Sequence, residues 1–223
     1  MATTVETTFT YKTLADAFTA AREVPLDRIR MHPQPGTATE RDLLEWNDQK
    51  RGLCELINGI LVEKTAGLYE AVIAGHIATE LNVYVRGKNL GLVLGAGGPL
   101  RMSPGQIRLP DASYLSWEKF PGCRLPREAV WRLPPDLAVE VLSPSNSDKE
   151  IALKIEEYFA AGAKLVWIID PVTQTTKVYR STSDVQTLSR SESLSGEELL
   201  PGLSIPLARI FTHNAITGEP LPD

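Results

Sequence analysis

Leu137-Ala138-Val139-Glu140-Val141-Leu142 is the stretch from which the rest of the chain can be read. Five of its six residues are apolar with no polar alternation, the pattern of a strand covered on both faces. Such strands belong to sheets with helices on either side. Glu140 breaks the run. A carboxylate buried there costs on the order of several kcal/mol unless it is paired or binds a metal. The anomaly therefore points to a structural ion pair or to chemistry.

Working outward, a second acid, Asp111, interrupts the strand-like run Gln106-Ile107-Arg108-Leu109-Pro110-Asp111-Ala112-Ser113-Tyr114-Leu115. After Glu140, Ser147-Asp148-Lys149-Glu150 reads as a capping box that starts a helix, with Gly162 placed to end it. Ile151, Ile155, Tyr158 and Phe159 share one stripe of that helix, and Lys154 lies at its edge. Lys164 to Asp170 reads as a central strand, with Lys177 to Arg180 as its hairpin partner.

Upstream, Cys54 to Glu63 predicts a hairpin, because Asn58-Gly59 suits a two-residue type I′ turn between apolar strands. Thr39, with Asp42 three residues later, caps a short helix. Val72, Ile73, Ile77, Leu81 and Val85 predict a helix from Tyr69 to Arg86. Leu92 to Leu94 is a short strand, and Gly95-Ala96-Gly97-Gly98-Pro99 reads as a hairpin turn. It lacks both the third glycine of a dinucleotide loop and the Lys-Ser/Thr of a P-loop. Residues 202–211 read as a tail packed on the core. The expected organisation is an N-terminal extension over 1–38 and one mixed α/β domain over 39–223.

At 223 residues the chain can bury a substantial core. Its net charge of −5 argues against a generic nucleic-acid coat protein. Locally the balance reverses: Arg101, Arg108, Lys119, Arg124, Arg127 and Arg132 face three acids over the same stretch, which marks it as a candidate DNA face. Two cysteines, Cys54 and Cys123, form neither a disulfide framework nor a zinc pattern. No signal-peptide pattern opens the sequence and no apolar run suggests a membrane span, so the expected location is cytoplasmic. His32, His76 and His213 are scattered, and no nucleophile elbow is present. Trp117 and Trp131 are candidates for stacking on bases, whereas Trp167 belongs to the core.

Two acids on neighbouring strands and a nearby Lys suit metal-dependent phosphodiester chemistry. Carboxylate oxygens favour Mg²⁺ or Mn²⁺ over zinc. The bland alternatives are a strand-end carboxylate for Asp111 and a buried pair of Glu140 with Arg108 or Lys154. Lys154 itself either turns toward the sheet or snorkels to solvent.

Pro110-Asp111 and Glu140 resemble the acidic pair of the PD-(D/E)xK nuclease superfamily. More closely, the chain is similar to the Uma-two family of restriction endonuclease-like proteins. The likeness runs through Glu55-Leu56-Ile57-Asn58-Gly59, Arg108-Leu109-Pro110-Asp111 and Pro135 to Ser145. It continues through Lys154, Tyr158, Ala161-Gly162, Val166 to Pro171 and Leu200-Pro201-Gly202-Leu203, spanning roughly Thr39 to Phe211. The resemblance implies a restriction-endonuclease-like core, a mixed central sheet flanked by helices with added hairpins.

It also implies Mg²⁺-dependent hydrolysis of DNA, with Mn²⁺ as a substitute. Asp111 and Glu140 would hold the metal, with the Leu142 carbonyl as a further ligand, and Lys154 would stabilise the reacting charge. Leu142 stands where the superfamily pattern would put its Lys, so the following helix supplies one, with Lys149 as the nearest rival to Lys154. Glu70, where many relatives have His, and Glu55 are further candidate acids. Double-stranded DNA is the expected partner, and double-strand cleavage favours a homodimer. The alternative is an inactive nuclease-fold protein that binds nucleic acid or another protein.

Overall fold

A computed structural model describes residues 9–21, 24–49, 52–65 and 67–221. In chain order these form α1 (Leu14–Ala20), α2 (Glu40–Asp48), β1 (Cys54–Ile57), β2 (Ile60–Glu63) and α3 (Leu68–Gly87). Then come β3 (Gly91–Gly95), β4 (Leu100–Ser103), β5 (Gln106–Arg108), β6 (Ala112–Ser116) and β7 (Leu137–Val141). The last third holds α4 (Asp148–Ala161), β8 (Leu165–Asp170), β9 (Thr175–Tyr179), β10 (Val185–Ser189), β11 (Ser193–Gly196) and β12 (Leu200–Pro206).

The larger sheet has the order β10-β9-β8-β7-β6-β3. β7 and β8 are parallel, and the other neighbours are antiparallel. Every residue of β7 is buried, as its composition predicts. Its alternation divides the core. Leu137, Val139 and Val141 pack with Ile73, Ile77, Leu81 and Val85 of α3. Ala138, on the other face, packs with Ile155 and Tyr158 of α4. Each buried aliphatic side chain contributes about 1.5–3 kcal/mol, so both faces of β7 select against polar residues. Glu140 shares the parity of Ala138 and thus faces α4.

The smaller sheet has the order β2-β1-β5-β4. The β1–β2 hairpin turns at Asn58-Gly59, with Ile57 opposite Ile60, and both turn residues take positive φ (49° and 74°). That is the type I′ geometry the pair favours.

The run from Gln106 to Leu115 is not one strand but two, and this corrects the sequence expectation. β5 pairs with β1 in the smaller sheet, whereas β6 pairs with β3 and β7 in the larger. Leu109-Pro110-Asp111 is the corner between them. Pro110 has no N–H to give to a ladder, and pairing resumes when Asp111 N–H donates to Val139 O at 2.9 Å. The Gly95–Pro99 turn is corrected in the same way. Gly98 N–H closes it onto Gly95 O at 3.1 Å, but β3 and β4 belong to different sheets, so it is a crossing and not a hairpin.

Ser147 caps α4, accepting from Glu150 N–H at 3.1 Å, and Gly162 ends the helix in the left-handed region (φ 104°). The capping box is only half formed, because the Glu150 carboxylate turns instead to Arg28. Ahead of Thr39, Ala17, Ala21 and Val24 join Ile57, Ile60 and Val62 in one cluster. At the other end, β12 pairs with β11 and buries Leu203 and Ile205 against the α3 side.

Candidate active site

Two strands bring the predicted acids together. Ala112 pairs with Val139 across β6 and β7, which sets Asp111 beside the residues flanking Val139. Val141 N–H donates to Asp111 Oδ2 at 2.7 Å. Glu140, aimed at α4, meets two side chains one helical turn apart. Lys154 Nζ lies 3.1 Å from its Oε2, and the Tyr158 hydroxyl donates to its Oε1 at 2.5 Å. The spacing of Lys154 and Tyr158 in the sequence is thus the spacing that lets one carboxylate engage both.

The smaller sheet supplies a second layer. Leu56 pairs with Ile107, so the next step along sets Glu55 opposite Arg108. Arg108 Nη1 is 2.8 Å from Glu55 Oε2, and its Nε donates to Glu157 Oε2 of α4 at 2.7 Å. Glu55 Oε1 accepts Leu109 N–H at 3.0 Å and lies 3.6 Å from Lys154 Nζ. Burial opposes ionisation of Glu55, but Lys154, Arg108 and Lys64 outweigh it and hold its carboxyl well below the usual range. Burial likewise opposes the charge on Lys154, and Glu140 and then Glu55 reverse it, keeping the ammonium above its ordinary value. Burial and the nearby acids push the Tyr158 phenol well up, so it remains a donor.

Lys64 is the residue that sequence reasoning missed. It stands one position beyond β2, where Lys64 N–H donates to Leu53 O at 2.8 Å and extends the hairpin. Its Nζ is 2.9 Å from Asp111 Oδ1 and 4.0 Å from Glu140 Oε2, and it donates to the Leu109 carbonyl. The next residue, Thr65, bonds through its hydroxyl to Ser145 and lies 3.5 Å from Ser143. The signal for Lys64 was its place at the open end of the hairpin that carries Glu55.

A family model described as "Uma2: Putative restriction endonuclease" matches residues 41–208, well over half of the chain. The chain belongs to the Uma2 family. A solved structure, a "putative nuclease belonging to DUF820" from Anabaena variabilis, matches with a TM-score of 0.63. At 20% identity, over 71% of this chain and 89% of that one, it supports the fold. No curated protein matches.

Glu70 lies in the first turn of α3, on the sheet face opposite α4, and its carboxylate folds over Gly67 at the start of its own helix. None of the contacts of Asp111, Glu140 or Lys154 described above involves it. Leu142 N–H continues the β7–β8 ladder by donating to Ile169 O at 2.8 Å. Lys149 is exposed in the first turn of α4.

Arg108 corrects the expected DNA face. It is 1% exposed and its guanidinium spans two core acids, because an unpaired buried guanidinium would be costly. Glu140 pairs with Lys154 and not with Arg108. Arg101 pairs with Glu40, and Lys119 lies 3.3 Å from Asp136. Arg124, Arg127 and Arg132 are exposed. Trp117 and Trp131 both pack edge-on against buried Phe120, and Trp167 is fully buried.

The donors around Lys64 are all hard oxygens: Asp111 Oδ1, Glu140 Oε2 and the Leu109 carbonyl. Among the described residues no group of three or more His, Cys, Asp or Glu side chains is set to hold a metal. Two carboxylates, a carbonyl and water nevertheless fit Mg²⁺, which retains several waters and asks for few protein ligands. The converging oxygens already surround one positive charge, so a cation suits the place.

Proposed function

We propose that this Uma2 protein is a Mg²⁺-dependent endonuclease that hydrolyses phosphodiester bonds of double-stranded DNA. The observation that carries this reading is that Asp111 and Glu140 both lie within 4.0 Å of Lys64 Nζ, with Lys154 Nζ 3.1 Å from Glu140. Family membership supports a nuclease, and the donor set supports a hard divalent ion.

Asp111 and Glu140 would hold the ion, with the Leu109 or Leu142 carbonyl as a further donor. Bound there, Mg²⁺ would polarise the phosphate and lower the pKa of water. The chain's own residues do the remaining work. Lys154, kept cationic by Glu140 and Glu55, faces the phosphate charge as it develops. Tyr158 fixes the rotamer of Glu140, and the Val141 N–H fixes that of Asp111. Arg108, tied to Glu157, holds Glu55 near Lys154. Exposed Arg124, Arg127 and Arg132 are suited to backbone phosphates. Cutting both strands of a duplex favours a symmetric dimer.

A second reading rests on the same network. Asp111, Glu140 and Glu55 each have a protein cation within 4.0 Å, as a purely structural ion cluster also would. On that reading the protein binds nucleic acid or a partner without cleaving. Calorimetric titration of Mn²⁺ with a short duplex present separates the two. The endonuclease reading expects binding by wild type and none by the Asp111→Asn, Glu140→Gln double variant. No binding by either leaves the binding-module reading.

A further inference from the structure

We propose that Lys64 is a built-in competitor of the divalent cation, so that metal binding at Asp111 and Glu140 requires its ammonium to leave. The inference rests on the metal reading above and adds a regulatory element to that site. Its basis is occupancy. Lys64 Nζ lies 2.9 Å from Asp111 Oδ1 and 4.0 Å from Glu140 Oε2, and it donates to the Leu109 carbonyl. These are the oxygens a small dication would need, at about 2.0–2.1 Å for Mg²⁺. An ammonium held among the same atoms would stand against that dication at close range, with little water between them. The Lys64 side chain is only 7% exposed. What sets Lys64 apart from Lys154 is that it also occupies Asp111 Oδ1 and the Leu109 carbonyl, so ion and ammonium compete for the same oxygens and repel each other there.

Two lysines flank Glu140 Oε2, and their surroundings decide which one yields. Lys154 sits within α4, 3% exposed, and Glu55 Oε1 at 3.6 Å gives it a second acid to hold it. Lys64 stands outside any helix or strand, between the end of β2 and the start of α3. Its four-carbon stem can swing the ammonium toward solvent without moving the sheet. The Thr65 hydroxyl bond to Ser145 anchors the adjacent backbone while it does so. In metal-free protein Lys64 therefore serves as counter-cation to Asp111. With metal bound, it is released and free to meet a phosphate.

The test uses Mn²⁺ as probe and binding as readout. Calorimetric titration of wild type, Lys64→Met and Asp111→Asn, each with and without a short duplex, should show Lys64→Met binding about tenfold or more tighter than wild type. The melting temperature of Lys64→Met should rise more on adding Mn²⁺ than that of wild type. A second readout needs no variant: limiting acetic anhydride should acetylate Lys64 of wild type severalfold faster with Mn²⁺ than with EDTA, read by mass spectrometry. Equal or weaker binding by Lys64→Met, abolished in Asp111→Asn, overturns the competition and leaves the metal reading standing. Unchanged acetylation of Lys64 overturns the competition as well. Absence of binding by wild type and Lys64→Met alike overturns both.

Discussion

The Val141 backbone N–H donates to Asp111 Oδ2 at 2.7 Å, so the strand that carries Glu140 also fixes the side chain of Asp111. Asp111 sits at the corner where the chain leaves the smaller sheet, and its own N–H donates to Val139 O at 2.9 Å. One short segment of β7 thus holds both acids, one covalently and one through its backbone.

Glu140 and Lys154 form a buried pair, with side chains 5% and 3% exposed. Glu140→Gln and Lys154→Met should each destabilise the fold by about 3–5 kcal/mol, because each leaves a buried charge short of its partner. The double variant should cost less than the sum of the two. Urea unfolding of all four proteins measures the cycle, and strict additivity would mean the pair is not coupled.

Arg108→Lys keeps the charge and loses the geometry. A single ammonium cannot replace a fork that reaches Glu55 at 2.8 Å and Glu157 at 2.7 Å. The expected loss is about 1.5–3 kcal/mol, the scale of one hydrogen bond to a charged group. A variant as stable as wild type in denaturant would show that the bridge contributes nothing.

Arg28 ties the segment that precedes α2 to the helix of Lys154. Its Nη1 and Nη2 reach the two Glu150 oxygens at 2.8 and 3.0 Å, and its Nε donates to Glu63 O at 2.8 Å. Arg28→Met should cost about 3 kcal/mol or more, and hydrogen exchange at the start of α4 should accelerate. Exchange unchanged there would mean that the clamp does not order the helix.

Acid should weaken the fold through Glu55 and Glu150, whose carboxyls both lie below the ordinary value of 4.5. For each, burial disfavours the charge and cationic partners overcome it. A depressed carboxyl contributes stability that is complete above its unfolded value and lost as pH falls through the folded one. Stability should therefore decline progressively below pH 4.5, and less steeply in Glu55→Gln. Lys154 works in the opposite sense, its contribution complete below 10.5 and lost only at higher pH. Urea midpoints from pH 7 down to 3 test the acid side, and equal slopes for wild type and Glu55→Gln would contradict it.

Much of the site was legible because it violates local rules. A carboxylate in a doubly covered strand announces itself, and Asn58-Gly59 and the Ser147 cap each carry their geometry in a few residues. What escaped reading depends on distant pairing. Arg108 faces inward only because β5 lies against β1, which brings Glu55 to it. Lys64 acquires its meaning from the corner at Leu109-Pro110-Asp111, where two sheets meet. No periodicity in the sequence marks that corner, since both halves of the run have the same strand-like composition. Glu70 looked attractive by motif, but the parity of β7 sends Glu140 to the α4 face and leaves α3 on the other.

Asp111 and Glu140 are proposed to form a Mg²⁺-dependent nuclease site. Incubation of purified protein with supercoiled plasmid, with Mg²⁺ or with EDTA, tests it most directly. Wild type should nick or linearise the plasmid only with Mg²⁺, and Asp111→Asn should be slower by about a hundredfold or more. Cleavage that persists in EDTA, or that Asp111→Asn retains at the wild-type rate, would mean that Asp111 holds no metal needed for hydrolysis.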